Sequence, residues 1–173
     1  MSLGFRTLRA DEIDVRVAQI SEKGVQLLLY KDARCDMNIL DETVGPMGWQ
    51  REHSRDNANC TVKIYHDGLC EWICKEDTGT ESNTEAQKGL ASDSFKRACV
   101  NWGIGRELYT SPFIWIKADS VQLKKNDKNG RMMTYDKFEV EKIAYDEKKN
   151  IVGLAIRNAS MGKRAFVWKK ETA

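Results

Sequence analysis

The sequence has few of the features that catalysis or nucleotide binding require. It contains two histidines, and no serine lies in the strand–turn–helix motif of a nucleophile elbow, so a catalytic triad is poorly supported. Neither a Walker loop nor a complete GxGxxG motif is present, because the GIG segment at residues 103–105 lacks the rest of that motif. We therefore expect a protein that is not an enzyme and needs no nucleotide cofactor.

Disulfide, metal and membrane signals are also missing. The five cysteines are an odd number without a CxxC pair, and we find neither a signal peptide nor a long apolar run. A reducing, cytoplasmic location without membrane contact is the simplest expectation. Three of the cysteines lie near the two histidines in sequence, but structural zinc needs four well-spaced ligands, and no metal is expected.

The charge is small overall but unevenly distributed. The 173 residues carry a formal charge of +2. Residues 1–90 contain 11 Lys and Arg against 16 Asp and Glu, whereas residues 91–173 contain 17 against 10. This asymmetry is typical of a nucleic-acid surface or of electrostatic self-association.

The clearest local structure is a long helix before residue 103. Ser82 and Glu85 have the spacing of a capping box, and Gly103 supplies a stop signal. No proline interrupts the segment before Pro112. One apolar stripe is predicted to face a core, formed by Ala91, Phe95, Ala98 and Trp102.

Periodicity and turn residues predict the other elements. The N-terminal half is predicted to contain a short amphipathic helix (Leu8, Ile13, Val17, Ile20), a strand at 25–30, a helix at 32–43 and strands at 49–54, 60–65 and 69–75. After the long helix come a strand at 113–117, a flexible charged loop at 123–131 and antiparallel strands at 137–145, 151–157 and 165–169.

Together these elements predict an α+β fold. A three-stranded antiparallel meander packs on the long helix, with a short N-terminal helix and a small C-terminal antiparallel sheet. We expect residues 1–117 to form the core and residues 118–173 to form a small β extension of the same domain.

A cluster of cations lies at the end of the long helix. Lys96 and Arg97 precede Gly103, Gly105 and Arg106, so three cations lie beside a turn whose backbone can approach a phosphate closely. The alternative interpretation is a set of solvated charges that interact favourably with the helix dipole.

Three motifs in order carry a family resemblance. They are VGPMGW at residues 44–49, DTGT at residues 77–80 and SDSFKRACVNWG at residues 92–103. The segment from about Lys31 to Tyr109 resembles the strand-annealing domain of the Rad52 family of double-strand-break repair proteins, including its bacterial and phage relatives. The ordered set is more specific than any one motif.

The resemblance implies a ring-forming homo-oligomer whose outer groove holds single-stranded DNA with its bases exposed, without ATP. Lys96 and Arg97 match the helix pair that contacts the DNA backbone, and Arg34 is the nearest match to a further basic residue. The chain departs from the family at Val100, where a basic residue is usual, and at Pro46, where an aromatic is usual.

Other cations are candidates to replace the missing charge: Arg106, Lys63, Arg51 and Arg55. The implied partners are single-stranded DNA, further copies of the chain, and a single-strand binding protein or other recombination proteins. Tyr65, Trp49 and Trp72 are candidates for base stacking, although packing in the core or hairpin is the more common role of such residues.

Two other functions are compatible with the sequence. Asp67, Glu71 and Lys75 surround a predicted hairpin and resemble a metal-dependent nuclease site, although a solvated hairpin edge has the same pattern. A lysine-rich C-terminal sheet is also typical of a protein-interaction module of a recombination complex.

Overall fold

A computed structural model describes residues 4–80 and 86–171. The chain folds into two compact units, each assembled from two segments of the sequence. Unit 1 consists of Met1–Thr7 and Asp32–Arg106, and unit 2 consists of Leu8–Lys31 and Glu107–Ala173. The expected division near residue 117 stays a prediction.

The described residues form a mixed α+β structure, which confirms the predicted class. The helices are α1 (Ala33–Val44) and α2 (Ala86–Trp102). The strands are β1 (Asp14–Ser21), β2 (Gly24–Tyr30), β3 (Trp49–Ser54), β4 (Asn59–His66), β5 (Glu71–Thr78), β6 (Ile114–Lys117), β7 (Lys124–Lys125), β8 (Met132–Met133), β9 (Phe138–Tyr145), β10 (Ile151–Asn158) and β11 (Lys163–Lys169). Short 3₁₀ helices lie at Ala10–Glu12, Arg106–Thr110 and Ala118–Ser120.

Helix α1 begins and ends at the residues that its sequence indicates. The Asp32 carboxylate accepts the Cys35 N–H at 2.9 Å, which satisfies one of the free donors of the first turn. Gly45 follows the helix with φ of 76°, and its N–H donates to the Asp41 carbonyl. Ile39 and Leu40 are fully buried. The predicted helix at 32–43 is therefore confirmed.

Strands β3, β4 and β5 form an antiparallel sheet in that order. Cys60, Val62 and Ile64 of the central strand are buried, whereas the residues that alternate with them are more exposed, as expected for a strand with one buried face. The indole N–H of Trp102 on α2 donates to the Val62 carbonyl at 3.1 Å. Helix α2 and this sheet therefore share one buried layer.

Helix α2 ends at the predicted stop. Gly103 has φ of 100°, and its N–H donates to the Val100 carbonyl, while the Ile104 N–H donates to the Cys99 carbonyl. These bonds close the last turn in the manner of a glycine C-cap. The predicted Ser82–Glu85 capping box lies outside the described residues.

Unit 2 contains a six-stranded antiparallel sheet in the order β11-β10-β9-β1-β2-β6. The two edge strands, β6 and β11, approach each other, so the sheet is nearly closed into a barrel. Its core consists largely of β-branched and leucine side chains, including Val25, Leu27, Ile116, Leu154 and Ile156.

Two expectations for this region were wrong. The predicted N-terminal helix is strand β1, because a register shift between Val17 and Gln19 interrupts the two-residue alternation and mimics helical spacing. The three C-terminal strands do not form a separate small sheet, since β9 pairs with β1.

The charged segment predicted to be a loop forms a small hairpin. Strands β7 and β8 pair through Lys124 with Met133 and Lys125 with Met132. Within the described part of the chain, neither helix is long and apolar enough to cross a membrane.

Candidate nucleic-acid interface

Gly79 fixes the corner between β5 and α2. A Cβ at this position would lie 2.6 Å from the Ser94 backbone nitrogen and 2.9 Å from the Leu90 carbonyl oxygen. No larger residue fits without moving the helix backbone. The Gly79 N–H also donates to the Ala58 carbonyl at 2.8 Å, so the corner is held from both sides. The DTGT motif thus allows close contact between strand and helix.

Two polar residues of α2 attach the helix to this corner. Asp93 accepts the backbone N–H of Thr80 at 2.9 Å, through Oδ2. The buried Ser94 donates its hydroxyl to the Asn57 carbonyl at 3.0 Å. Within the SDSFKR segment, Asp93 and Ser94 therefore fix the position of α2. Lys96 and Arg97 follow them on the same helix.

Arg97 is oriented by an exposed ion pair. Its Nε lies 3.3 Å from Oδ1 of Asp77, and 45% of the Arg97 side chain remains exposed. Exposed pairs of this kind contribute only about 0–1 kcal/mol, so an incoming phosphate can replace the carboxylate. Lys96 is half-buried and makes no hydrogen bond or ion pair with residues 4–80 or 86–171.

The carboxyl end of α2 holds two further cations. Arg106 donates from Nη2 to the Val100 carbonyl at 2.8 Å and to the Asn101 carbonyl at 3.1 Å. Lys75 of β5 donates to the same Asn101 oxygen at 2.8 Å and lies 4.6 Å from the centre of the Trp102 ring. Both cations compensate the negative end of the helix dipole.

The Asn101 side chain connects these cations to Arg97. Its Nδ2 donates to the Glu76 carbonyl at 3.0 Å and to Oδ2 of Asp77 at 3.3 Å, on the carboxylate that holds Arg97. One polar network therefore includes three cations from β5, from α2 and from the turn after it. Together with Lys96 they form the α2 basic cluster: Lys75, Lys96, Arg97 and Arg106.

Arg34 and Lys63 are held by their own acidic partners. Arg34 pairs with Asp32 at 3.0 Å at the start of α1. Burial raises the pKa of Asp32, but hydrogen bonds from the Cys35 N–H and from Arg34 outweigh it and leave the pKa below its usual value. Lys63 pairs with Glu52 at 2.8 Å, and this hydrogen bond raises the pKa of Lys63.

Arg51 and Arg55 lie on and beside β3. The guanidinium of Arg51 is 5.0 Å from the centre of the Phe95 ring, so Arg51 lies on the face of the sheet that packs against α2. Arg55 lies in the β3–β4 turn with φ of 51°. The pKa of Glu76 is lowered mainly by hydrogen bonds from Thr61 and Asn59, and the charge of Arg55 lowers it further. Neither belongs to the hydrogen-bond network of the α2 basic cluster.

The candidate aromatic residues differ in environment. Trp49 stacks on Phe95 with ring centres 6.0 Å apart and donates its indole N–H to Asp41, which indicates a packing role. Tyr65 and Trp72 form an edge-to-face pair with centres 5.4 Å apart and are both partly exposed.

The nuclease pattern is not assembled as a metal site in the described residues. No group of three or more His, Cys, Asp or Glu side chains is placed there to hold a metal ion. Asp67 lies in the turn before β5 rather than on the strand, and Lys75 is bound to the Asn101 carbonyl.

Sequence reasoning missed the connecting residues of this site. It assigned Lys75 only to the nuclease pattern and gave no role to Asn101 or to Asp77 as the partner of Arg97. One signal was available: Asn101 is a polar residue in the last turn of an otherwise apolar helix end, VNWG. The contact with β5 could not be read from spacing along the chain.

Comparison with known proteins establishes the family. Residues 6–130 match the Rad52/22 family of double-strand break repair proteins, and the chain belongs to this family. It is also 33% identical over 98 residues to the single-stranded DNA-binding protein DdrA of Deinococcus radiodurans. That match covers 56% of this chain and 47% of DdrA, so it spans about half of the relative's length. No solved structure matches significantly. The family resemblance seen in the three motifs is thereby confirmed.

Proposed function

We propose that this protein binds single-stranded DNA and anneals complementary strands, acting without bond chemistry in the repair of DNA breaks. The observation that carries the proposal is the Lys96–Arg97 pair, presented on α2 directly after the corner that Gly79, Asp93 and Ser94 fix. Family membership and the similarity to a single-stranded DNA-binding protein support the choice of ligand.

Annealing requires two polyanions to approach each other while their bases stay accessible. Cations on a rigid surface lower the repulsion by neutralising phosphates, and they release counterions as they do so. Arg97 is exposed and can exchange its half-buried Asp77 partner for a phosphate oxygen, and Lys96 has no competing ion pair among the described residues. Contacts of this type fix position and carry little sequence information.

The remaining members of the α2 basic cluster contribute in a different way. Lys75 and Arg106 use donors on the carbonyls that end α2, so they set the positive potential of the site and stabilise the helix end. Arg34 and Lys63, each paired with an acid, and Arg51 and Arg55 are the further candidates for the proposed groove in unit 1.

A ring-like homo-oligomer is part of the proposal. The acidic first half and the basic second half of the chain favour electrostatic contact between copies. A groove that runs across several subunits would neutralise a long strand, and a single-strand binding protein or other recombination proteins would deliver or receive that strand.

Annealing of two fluorescently labelled complementary oligonucleotides, without any nucleoside triphosphate, tests this function. We expect the protein to accelerate annealing and to leave both strands at full length when Mg²⁺ is added. Light scattering of the same samples should show an oligomer that binds the oligonucleotide. A monomer that ignores DNA, or strands that are cut, would refute the proposal.

A further inference from the structure

Residues 122–136 of unit 2 form a basic arm. Strands β7 and β8 form its stem, and the Asn126 N–H donates to the Arg131 carbonyl at 2.9 Å near its tip. None of the side chains of residues 122–136 belongs to the buried core. The arm therefore adds no side chain to the buried core, although β8 packs against β1.

The base of the arm is firmly attached. Oδ2 of Asp136 accepts the Gln122 N–H at 2.8 Å and the Asn158 amide at 2.7 Å, which joins both ends of the arm to β10. Asn158 is fully buried and also donates to the Ser120 carbonyl at 3.1 Å. This anchoring gives a short ribbon a defined base on the six-stranded sheet.

Residues 122–136 carry four exposed cations, Lys124, Lys125, Lys128 and Arg131, against two acids, the exposed Asp127 and the half-buried Asp136 at the base of the arm. Within residues 4–80 and 86–171, none of the four forms an ion pair, in contrast to Arg34, Lys63 and Arg97 of unit 1. Exposed cations without acidic partners can bind a polyanion without first breaking an ion pair.

An aromatic ring lies beside these charges. Tyr135 is 71% exposed, and Nζ of Lys124 is 5.9 Å from the centre of its ring. A base stacked on an exposed aromatic ring, with its phosphate beside a lysine, is the usual arrangement of single-strand binding surfaces. The carboxylates of an acidic peptide would use the cations but make no stacking contact with the ring.

Two asparagines add donors at the tip. The Asn126 and Asn129 side-chain carbonyls accept the backbone N–H groups of Lys128 and Arg131, at 2.9 Å and 3.0 Å. Their NH₂ groups make no hydrogen bond to the described part of the chain, so they can donate to phosphate or base oxygens.

We propose that this arm is a second site for single-stranded nucleic acid, in which Lys124, Lys125, Lys128 and Arg131 bind phosphates and Tyr135 stacks on a base. The site lies in unit 2 and shares no residue with the α2 basic cluster. Its existence therefore does not depend on the role proposed for Lys96 and Arg97.

The test uses the full chain and a fluorescein-labelled 20-mer of deoxythymidine. Binding is measured by anisotropy as a function of salt for the wild type and for a variant with Lys124→Gln and Lys125→Gln. Since each lost phosphate contact lowers the salt slope by about 0.7 for single strands, we expect a decrease of about 1.4. A variant with Lys142→Gln and Lys169→Gln removes two exposed lysines from β9 and β11 and is the matched control.

The aromatic contribution is tested at Tyr135. We expect Tyr135→Ala to weaken binding by about fivefold or more, and Tyr135→Phe to keep wild-type affinity, because the ring and not the hydroxyl carries the stacking. Circular dichroism of each variant checks the fold, and this exposed position should tolerate the change.

A second experiment distinguishes failure of this proposal from failure of the proposed function. The Lys124→Gln and Lys125→Gln substitutions are repeated in a variant that also carries Lys96→Ala and Arg97→Ala. The arm substitutions should lower the residual affinity and slope in this background too, whether or not the background itself binds less DNA. Equal slopes for the arm variant and its control would overturn the proposal. Displacement of the oligonucleotide by poly-glutamate of equal charge, with no effect of Tyr135→Ala, would instead identify an acidic-peptide site and also overturn it.

Discussion

Arg97 of α2 and Asp77 of β5 form an ion pair in which Nε lies 3.3 Å from Oδ1. The same carboxylate accepts the Thr78 N–H at 2.7 Å and the Asn101 amide at 3.3 Å. Asp77 thereby orients Arg97, and its negative charge also competes with any phosphate for that guanidinium. Under the proposed function, the pair positions Arg97 and also opposes its binding to phosphate.

Removing the charge of Asp77 should therefore strengthen DNA binding. We expect Asp77→Asn to tighten binding of single-stranded oligonucleotide by up to about fivefold, since an exposed ion pair is worth about 0.2–1 kcal/mol. Anisotropy titration at constant salt measures this. Asp67→Asn removes an exposed carboxylate from the β4–β5 turn of the same unit and should have less effect. Weaker or unchanged binding by Asp77→Asn would show that Asp77 does not compete with DNA.

The corner at Gly79 should be sensitive to a single methyl group. A Cβ there would lie 2.6 Å from the Ser94 nitrogen, so Gly79→Ala must shift the α2 backbone. We expect a loss of about 1–3 kcal/mol in the free energy of unfolding, measured by urea denaturation. Gly4→Ala is the control, because nothing lies within 4 Å of its added Cβ. Equal stability of the two variants would mean that the contact can relax freely.

Arg106 and Lys96, near the end of α2, should differ in their effect on the free energy of unfolding. Arg106→Ala removes donors from the Val100 and Asn101 carbonyls, and we expect it to cost about 1 kcal/mol of unfolding free energy. Lys96→Ala breaks no hydrogen bond to the described residues and should change stability by less than about 0.5 kcal/mol. Thermal denaturation compares the two. A larger stability loss for Lys96→Ala would assign Lys96 a structural role.

Stability should fall in alkaline solution because of Cys60. Burial raises the pKa of this thiol from its ordinary 9.0 to about 11. As the pH rises, the Cys60 thiol therefore loses its proton in the unfolded chain before it does so in the folded chain. The thiol's contribution to the free energy of unfolding is complete below about pH 9 and is lost as the pH rises towards 11. Cys60→Ala is less stable at neutral pH but should show a shallower decline between pH 9 and 11. Parallel curves for the two proteins would exclude this thiol as the cause.

The sequence predicted unit 1 well because its signals are local. Asp32, Gly45 and Gly103 mark helix ends through contacts within one turn. The alternation at Cys60, Val62 and Ile64 reports one buried face of a strand. The choice of Lys96 and Arg97 as candidates came from the same short-range patterns together with the family motifs.

Unit 2 was harder to predict, since its contacts join distant segments. Pairing of β1 with β9 places Asp14 opposite Glu139, and no periodicity reports such a partner. The register shift after Val17 also disguised β1 as a helix. In the site, Lys75 and Arg106 both donate to the Asn101 carbonyl, although 31 positions separate them in the sequence. Spacing cannot reveal that kind of contact.

The salt dependence of single-stranded DNA binding tests the central claim most directly. Wild type and a variant with Lys96→Ala and Arg97→Ala are titrated with a labelled deoxythymidine 20-mer at several salt concentrations, with Lys142→Gln and Lys169→Gln as the charge-matched control. We predict weaker binding and a salt slope reduced by about 1.4 for the first variant, and a smaller change for the control. Identical affinity and slope for wild type and the Lys96–Arg97 variant would contradict the assignment of α2 as the DNA-binding helix.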